Sequence, residues 1–552
     1  MPLFIVATLA ATILSILGLL GLSNQGLSAT SGVTALLIGS LVGIMATISS
    51  RKYYERPTFN FWDIAALSIW SLASLRAFLW LIFQASGQLK IISPYNLGDL
   101  SLHIHIIQYL ASGTPFWPES PILAGTPLKY PIGMDLFNSI LVNLGMPLNN
   151  SLIIVGVVCS LLCGWTLWKW GGAFTLIATL LGGGLTGFAI FQQHELLDWQ
   201  GKAEWKNIFL TMIVTQRGLL FAIPAGTLLL TQWRRRIEER KGITDWWVEV
   251  LLYSTMPIFS MHTFIFLSLL LLIAFIFDSS NRIKWLAFVS ISAPIAATLV
   301  ACITGGSNPV HIAVGWTQSG NPLLFWIMNF GLMIPLMAIT CYLAIKSKKT
   351  DAIVFAGTSI IMFVACCFIS FAVWPWDNTK LMIWSWIAIL PFIWEYAIKP
   401  LPKIIAFIII FVLCFTGAIS LYAGLHFRHN YGLISILELA DAKNISTGVP
   451  RDARIIAAPT FNHPLGLIGR NLIVGYDGHL WSHGLNFREN YNTVEAILRG
   501  DPNWKKKAAQ LGARYLFWGR REQEKYPKST KPWEKEATCI AEGESAKLYR
   551  LW

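Results

Sequence analysis

The sequence predicts an α-helical polytopic membrane protein of about 13 transmembrane helices, followed by a small C-terminal α/β domain. Three observations predict it. Charged residues make up 13% of the 552 residues, about half the share in a soluble domain, while 55% are hydrophobic and 25 are Trp. Mean hydropathy is +0.55. Apolar runs of about 18 residues or more, each long enough for a hydrocarbon core of roughly 30 Å, recur up to residue 424, after which the composition turns polar.

The runs lie at 4–22, 33–49, 61–83, 151–168, 173–191, 217–233, 246–277, 285–303, 323–345, 352–373, 379–397 and 404–424. The first begins almost at Met1 without a basic n-region or a convincing cleavage site, and is expected to be a retained helix. The run at 246–277 is too long for one span. Pro257 in "MPIFSMH" removes a backbone donor, so this run is expected to enter and return as two short helices.

Orientation follows from the basic clusters "RKYYERP" (51–57), "RRRIEERKG" (234–242), "NRIK" (281–284), "KSKK" (346–349) and "KPLPK" (399–403). Placing all five in the cytoplasm puts the N-terminus inside and the tail outside the inner (plasma) membrane. All ten histidines then fall at or near the outer side. The chain divides into a membrane domain, 1–424, with a large outer loop, 84–150, and an extracytoplasmic domain, 425–552. In the tail, strand-like "ARIIAAP" (453–459), "NLIVGY" (471–476) and "ARYLFWG" (513–519) alternate with helix-like "NTVEAILRG" and "WKKKAAQLGA". Much of the net charge of +13 sits in the short clusters, which fits anionic lipid and topology, and excludes nucleic acid as a partner. Seven of the eight Cys lie in apolar runs as small hydrophobes and Cys539 stands alone in the tail, so there is no disulfide framework and no CxxC metal pattern.

Chemistry concentrates in the outer segments. "YNLGDLSLHIHIIQYL" (95–110) has helical spacing that sets Asp99 and His103 on one face, at i and i+4, with His105 pointing elsewhere as an interfacial bystander. A carboxylate beside an imidazole at a membrane surface can deprotonate a hydroxyl, or hold a divalent cation such as Mg2+ or Mn2+. The competing reading makes Asp99 an N-cap and His103 a solvated interfacial residue. The stretch 112–137 that follows carries five Pro and three Gly. Irregular backbone at a membrane lines a cavity or is buried in protein. Within it, Glu119 is expected to be solvated, and Asp135 to be a helix cap or a further carboxylate.

Four further places carry polar groups. "TQRGL" (215–219) brings Gln216 and Arg217 to the outer mouth of a helix, where Arg forks onto phosphate or snorkels. "WPWDNTK" (374–380) sets Asp377, Asn378 and Lys380 between two spans, where Lys is a point charge for phosphate or an interfacial anchor. Arg76 lies inside the 61–83 run, and an intramembrane Arg marks function or a buried partner, here Asp99 or a lipid phosphate. His262 sits at the break in the 246–277 run, either facing the outer cavity or packed. In the tail, "GYDGHLWSHG" (475–484) offers Asp477, His479, Trp481 and His483 as a metal site, a sugar-stacking loop or a structural turn.

Several of these stretches resemble motifs of the GT-C superfamily, polytopic glycosyltransferases that use lipid-phosphate-linked sugars. The matching residues are 98–137, with Asp, then His four later, then Gly-x-Pro and the Tyr-Pro-x-Gly that begins at Tyr130. "TQRGL", "MPIFSMHTF" (256–264), "WPWDNTKLM" (374–382) and "APTFNHPLGLIGRNLIVGYDGHLWSHG" (458–484) match as well. The motifs are short but span most of the chain. The resemblance implies an inverting enzyme that moves a sugar from a polyprenyl-phosphate donor to a glycan, lipid or protein acceptor on the outer side. It implies Asp99 as general base or metal ligand with His103 supporting. It implies cations at the donor phosphate, for which Arg217 and Lys380 are candidates by position; Arg76 is expected to join them, and Gln216, Tyr130, His262, Asp377, Asn378 and Asp135 are expected around the substrates. No second catalytic carboxylate stands out among Asp135, Glu195, Asp198 and Asp377. The WWDYG motif is missing, which argues against asparagine glycosylation. A transporter or a catalytically inactive scaffold are the rivals. A transporter is expected to show an inverted repeat with matching broken helices, and a single broken span is visible here.

Overall fold

A computed structural model describes residues 1–53, 55–93, 95–193, 203–239, 241–305, 309–426 and 430–552. Glu195 and Asp198, two of the open carboxylates, lie outside the described residues, as do His194 and His429. The chain forms two compact units. The first comprises Met1–Ser15, Ala35–Trp80 and Leu152–His429; the second comprises Ile16–Thr34, Leu81–Ser151 and Asn430–Trp552.

Helices of the first unit stand where the apolar runs place them, because in hydrocarbon a helix satisfies every backbone polar group internally. Helix Phe61–Leu79 opens on a capping box in which Asn60 and Asp63 each accept the other's backbone N–H, at 3.0 and 3.1 Å. Helix Leu148–Leu181 is 34 residues long, about 51 Å at the α-helical rise and too long for one crossing. It breaks at Gly171 and Gly172, the latter at φ +71°, between the two predicted runs. The 246–277 run yields three pieces, Trp246–Ser254, Met256–Phe259 and Met261–Phe277, with Ser260 capping the last.

Among the described residues, seven helices are long and apolar enough to cross a membrane, or eight if the bent pair Pro322–Phe330 and Met333–Ser347 is one span. That is fewer than the expected 13. The longest piece of the 246–277 run has 17 residues, the 352–373 run gives a 17-residue helix, Thr350–Cys366, and helix Leu219–Glu239 ends in five charges.

The arginines at that helix end are not simply lipid-facing anchors. Arg234 pairs with Asp351 (3.1 Å) and Glu395 (3.3 Å), Arg235 with Glu55 (2.8 Å), and Arg236 with the fully buried Glu249. Cations at a helix C-terminus also complement its dipole.

Among the described residues the second unit has three sheets, one of them the short antiparallel pair Glu119–Ser120 and Leu123–Pro127. The first of the other two is antiparallel, in the order Phe83–Ala85, Gln88–Ile91, Tyr431–Ser435. Its hairpin turns through Ser86 (φ +52°) and Gly87 (φ +69°), the paired positive φ of a turn whose twist suits two strands. The second sheet runs Thr538–Glu542, Lys547–Arg550, Tyr515–Trp518, Ile455–Ile456, with the last pair parallel. Ala442, Ile445, Leu465, Leu472, Phe517 and Leu548 form its core. Helices Arg488–Arg499 and Trp504–Gln510 stand where the sequence places them. "NLIVGY" contributes two isolated bridges, Leu472 to Ile455 and Val474 to Leu123, and no strand, and the 538–550 hairpin is not among the elements that the sequence predicts.

Candidate active site

The site forms on helix Asn96–Ala111 of the second unit. Its sequence alternates apolar residues so densely that protein covers it on nearly every side, with Leu100, Leu102, Ile104, Ile106, Ile107 and Leu110 all buried. The helix begins at Asn96, so Asp99 lies in the first turn and is not its N-cap. A carboxylate there is favoured by the helix dipole. Asp99 is half-buried, whereas His103 is 2% and His105 4% exposed. Neither histidine is a solvated interfacial residue.

His103 is held by a partner the spacing did not name. Its Nδ1 lies 2.9 and 3.0 Å from the two carboxylate oxygens of Asp135, which is itself 2% exposed in the first turn of helix Gly133–Asn143 and does not cap it. A carboxylate only accepts, so Nδ1–H donates to it, and in the neutral imidazole Nε2 then carries the lone pair. The result is an oriented imidazole with its basic nitrogen turned away from its carboxylate, the arrangement general-base chemistry uses. Tyr130 packs edge-on to His103 with ring centroids 5.9 Å apart, and stacks on His483 at 5.0 Å. His479 adjoins the same group: burial first, then His103, pushes its pKa down to about 4. The tail motif 475–484 therefore closes on the loop helix without forming a metal site among the described residues.

Asn96 is the site residue that sequence reasoning missed. It is 1% exposed, and neither its amide oxygen nor its amide nitrogen has a hydrogen-bond partner among the described residues. Asn96, Asp99 and His103 are spaced three and four apart, so they share one helix face. A buried amide with unmade bonds costs about 1–3 kcal/mol per group, which an incoming polar ligand recovers.

His105 is a structural group. Its Nε2–H donates to the Arg470 carbonyl at 2.7 Å, and burial pushes its pKa down to about 4. Glu119 is not a free loop residue either: it ion-pairs with Arg454 at 2.5 Å. The two depressed histidines give a pH prediction. The folded state keeps them neutral while the unfolded chain binds their protons below about 6.5, so stability is full above pH 6.5 and falls as pH drops toward 4. We expect His105 to contribute a loss of about 2 kcal/mol between pH 7.5 and pH 5, read from thermal unfolding midpoints. His105→Gln is expected to remove that part of the slope, and an unchanged slope would refute the assignment.

Arg76, Gln216, Arg217, His262, Asp377, Asn378 and Lys380 belong to the first unit. Arg217 is 1% exposed at the start of helix Leu219–Glu239. It reaches that position because residue 218 is glycine: a Cβ there would lie 1.9 Å from the Phe259 carbonyl oxygen. Lys380 pairs with Asp377 at 3.1 Å, so its charge is already matched. Asn378 is 1% exposed and spends its amide on the backbone of Cys366, Ile369 and Phe371, which makes it a holder of the 366–371 turn. The Arg76 guanidinium lies 5.5 Å from the Trp80 ring centroid, and its buried Nη1 makes no hydrogen bond among the described residues. His262 opens helix Met261–Phe277 with its buried Nε2 likewise unbonded among the described residues.

No three His, Cys, Asp or Glu side chains among the described residues come together to hold a metal ion. Because His103 gives Nδ1 to Asp135, the expected ligand pair offers Asp99 and one imidazole nitrogen at most. A hard cation there would take its remaining ligands from phosphate and water, as Mg2+ commonly does.

No family model matches the chain, and no curated protein matches it. Among solved structures, the chain is similar to the Archaeoglobus fulgidus oligosaccharyltransferase tethered to an acceptor peptide with the NVT sequon. That likeness has 11% identity and a TM-score of 0.48, over 87% of this chain and 72% of the other. It is similar to the archaeal oligosaccharyltransferase AglB from Archaeoglobus fulgidus in complex with an inhibitory peptide and a dolichol-phosphate. Here identity is 11% and the TM-score 0.43, over 84% and 70% of the two chains. It is also similar to ArnT from Cupriavidus metallidurans bound to undecaprenyl phosphate, with 9% identity and a TM-score of 0.42, over 89% and 97%. AglB and ArnT are both polytopic glycosyltransferases of the GT-C superfamily.

Proposed function

We propose that this chain is a GT-C-type membrane glycosyltransferase. It moves one sugar, with inversion, from a polyprenyl-phosphate carrier to an acceptor hydroxyl on the extracytoplasmic side of the inner (plasma) membrane, with its N-terminus in the cytoplasm and its tail outside. The observation that carries this reading is the face of helix Asn96–Ala111: a half-open carboxylate, Asp99, between a buried amide with unmade bonds, Asn96, and an imidazole oriented by a buried carboxylate, His103 with Asp135.

Asn96 and His103 Nε2 hold the acceptor, and Asp99 accepts the hydroxyl proton as the oxygen attacks the anomeric carbon. The new bond joins acceptor oxygen to that carbon; the bond that breaks joins it to the phosphate oxygen, and polyprenyl phosphate leaves with the electron pair. One displacement with one base inverts the centre. Cations meet the negative charge on the leaving phosphate, usually the larger electrostatic contribution. Arg217 is the preferred group for that role because a planar guanidinium forks onto phosphate through two parallel N–H donors, whereas an ammonium is a point charge.

The test is sugar transfer in proteoliposomes from a polyprenyl-phospho-sugar, together with mass spectrometry of lipid that co-purifies. A covalent product and a bound polyprenyl-phosphate lipid support the reading; solute flux without product overturns it in favour of transport. Arg217→Lys keeps the charge and loses the fork. It is expected to lower kcat/KM for the donor by about 10–100-fold. Unchanged donor kinetics would remove Arg217 from the phosphate site.

A further inference from the structure

The second unit has an open cavity of about 430 Å3, within the roughly 300–1,000 Å3 range of small-molecule sites. Leu97 borders it on one side, next to the Asp99 turn; Thr460, Phe461 and Asn462 line another. These three come from "APTFNHP", a stretch that the proposed chemistry leaves unused.

The loop is held from both ends. The fully buried carboxylate of Glu522 accepts the Ala458 N–H at 2.7 Å and the His463 Nε2–H at 2.9 Å. His463 also caps the next turn, its Nδ1 accepting the Leu465 N–H at 3.2 Å. Between these anchors Asn462 adopts a left-handed backbone, φ +52°. It is 8% exposed, yet its Oδ1 has no hydrogen-bond donor among the described residues, and the Thr460 hydroxyl beside it is buried and equally unmatched. An uncommon backbone conformation and two unmade bonds are each a cost, and their occurrence together in one firmly anchored loop marks a prepared binding surface.

The unmet chemistry is neutral. Every charged side chain on the lining already has a counter-ion: Arg521 with Glu438 at 3.0 Å, Lys525 with Glu495 at 2.8 Å, and Glu524 with Arg520 at 2.7 Å. An ionised phosphate oxygen carries no hydrogen to give the Asn462 Oδ1, and the cations on the lining are already matched by carboxylates. A ligand hydroxyl supplies that donor, and the Thr460 hydroxyl can return one. Phe461 adds an aromatic surface. It approaches Gly98 so closely that a Cβ there would sit 3.2 Å from its ring, which ties the cavity to the turn that carries Asp99. Hydroxyls that donate and accept, on a ring with an apolar C–H face, describe a sugar.

We infer that this cavity binds a neutral pyranose ring and so makes the acceptor a glycan or glycolipid. The acceptor role rests on the transferase reading above; the binding of the sugar does not. The test uses the full chain in nanodiscs and ligand-observed saturation-transfer NMR. The probes are the methyl glycosides of the common hexoses and N-acetylhexosamines, with inorganic phosphate as competitor. At least one glycoside is expected to bind. Asn462→Gly keeps the left-handed backbone and removes the amide; Thr460→Val keeps the shape and removes the hydroxyl. Each is expected to weaken that binding about tenfold, the value of one hydrogen bond. Phosphate is expected not to compete. No binding across the panel, affinity unchanged in both variants, or competition by phosphate would each overturn the inference. Asp99→Asn separates the two readings, because it is expected to keep glycoside binding. Binding without transfer from any donor overturns the transferase and leaves this site standing. Transfer with binding indifferent to both loop variants does the reverse.

Discussion

Asp99→Asn is expected to lower the rate of sugar transfer by about 100- to 10,000-fold, the range general-base catalysis contributes. The replacement is nearly isosteric and keeps an oxygen where the acceptor hydroxyl would bond, so it removes basicity more than geometry. Its effect is expected in kcat with little change in the KM for the donor, because the donor phosphate is assigned to Arg217 and not to this helix. Folding is expected to survive. Asp99 is half-buried in a first turn, where the lost dipole interaction is worth about 0.3–1 kcal/mol. Transfer that continues at the wild-type rate would end the assignment of Asp99 as base. The buried pair behind it would then take over, since Asp135 leaves Nε2 of His103 as the other basic atom on that face.

The parts of this site that the sequence disclosed are those that depend on local spacing. Asp99 and His103 are four residues apart on one helix, and a helical period is enough to set them together. The loop before Asp135 was visibly irregular from its prolines and glycines. What spacing does not carry is pairing across distance. His103 finds Asp135 32 residues later, and Tyr130 finds His483 more than 350 residues later. His105 was assigned to the interface because a helical wheel turns it away from Asp99; in the fold that side of the helix is covered too, and the imidazole bonds the Arg470 carbonyl. Asn96 went unnoticed because an amide becomes informative only once its partners can be counted.

The same reasoning applies to the fold. Apolar runs located the helices well, since hydrocarbon admits little else. The number of crossings was harder to read, because glycine pairs, prolines and terminal charges cut runs into pieces whose individual lengths decide whether they span. The arginines at 234–236 suited a lipid surface by the positive-inside bias, yet they meet Asp351, Glu395, Glu55 and Glu249, acids that lie far off in the chain or beyond the next loop.

Glu522→Ala is expected to destabilise the second unit by about 3–5 kcal/mol, the cost of breaking a buried polar pair. Glu522 is 0% exposed and accepts three bonds: from Ala458 N–H, from Gly519 N–H at 2.9 Å, and from His463 Nε2–H. The cap that His463 forms at Leu465 fixes its Nδ1 as acceptor, so its proton sits on Nε2 and points at this carboxylate. Alanine leaves all three donors buried and unmatched. Burial alone would raise the pKa of Glu522, but His463 and the backbone N–H groups outweigh it and hold the carboxyl below its usual range. Since the folded pKa is the lower one, this contribution is complete above about pH 4.5 and is lost as pH falls through the folded value. The variant is therefore expected to show a lower thermal midpoint at pH 7.5 and a flatter dependence below pH 4.5, while keeping the histidine-linked slope between 6.5 and 4. A loss under about 1 kcal/mol would mean that the network relaxes onto other donors and acceptors. The same carboxylate anchors the loop of Thr460, Phe461 and Asn462, so glycoside binding is expected to weaken in this variant even at temperatures where it stays folded. A variant that is destabilised yet binds sugar normally would show that the loop owes its shape to something other than Glu522.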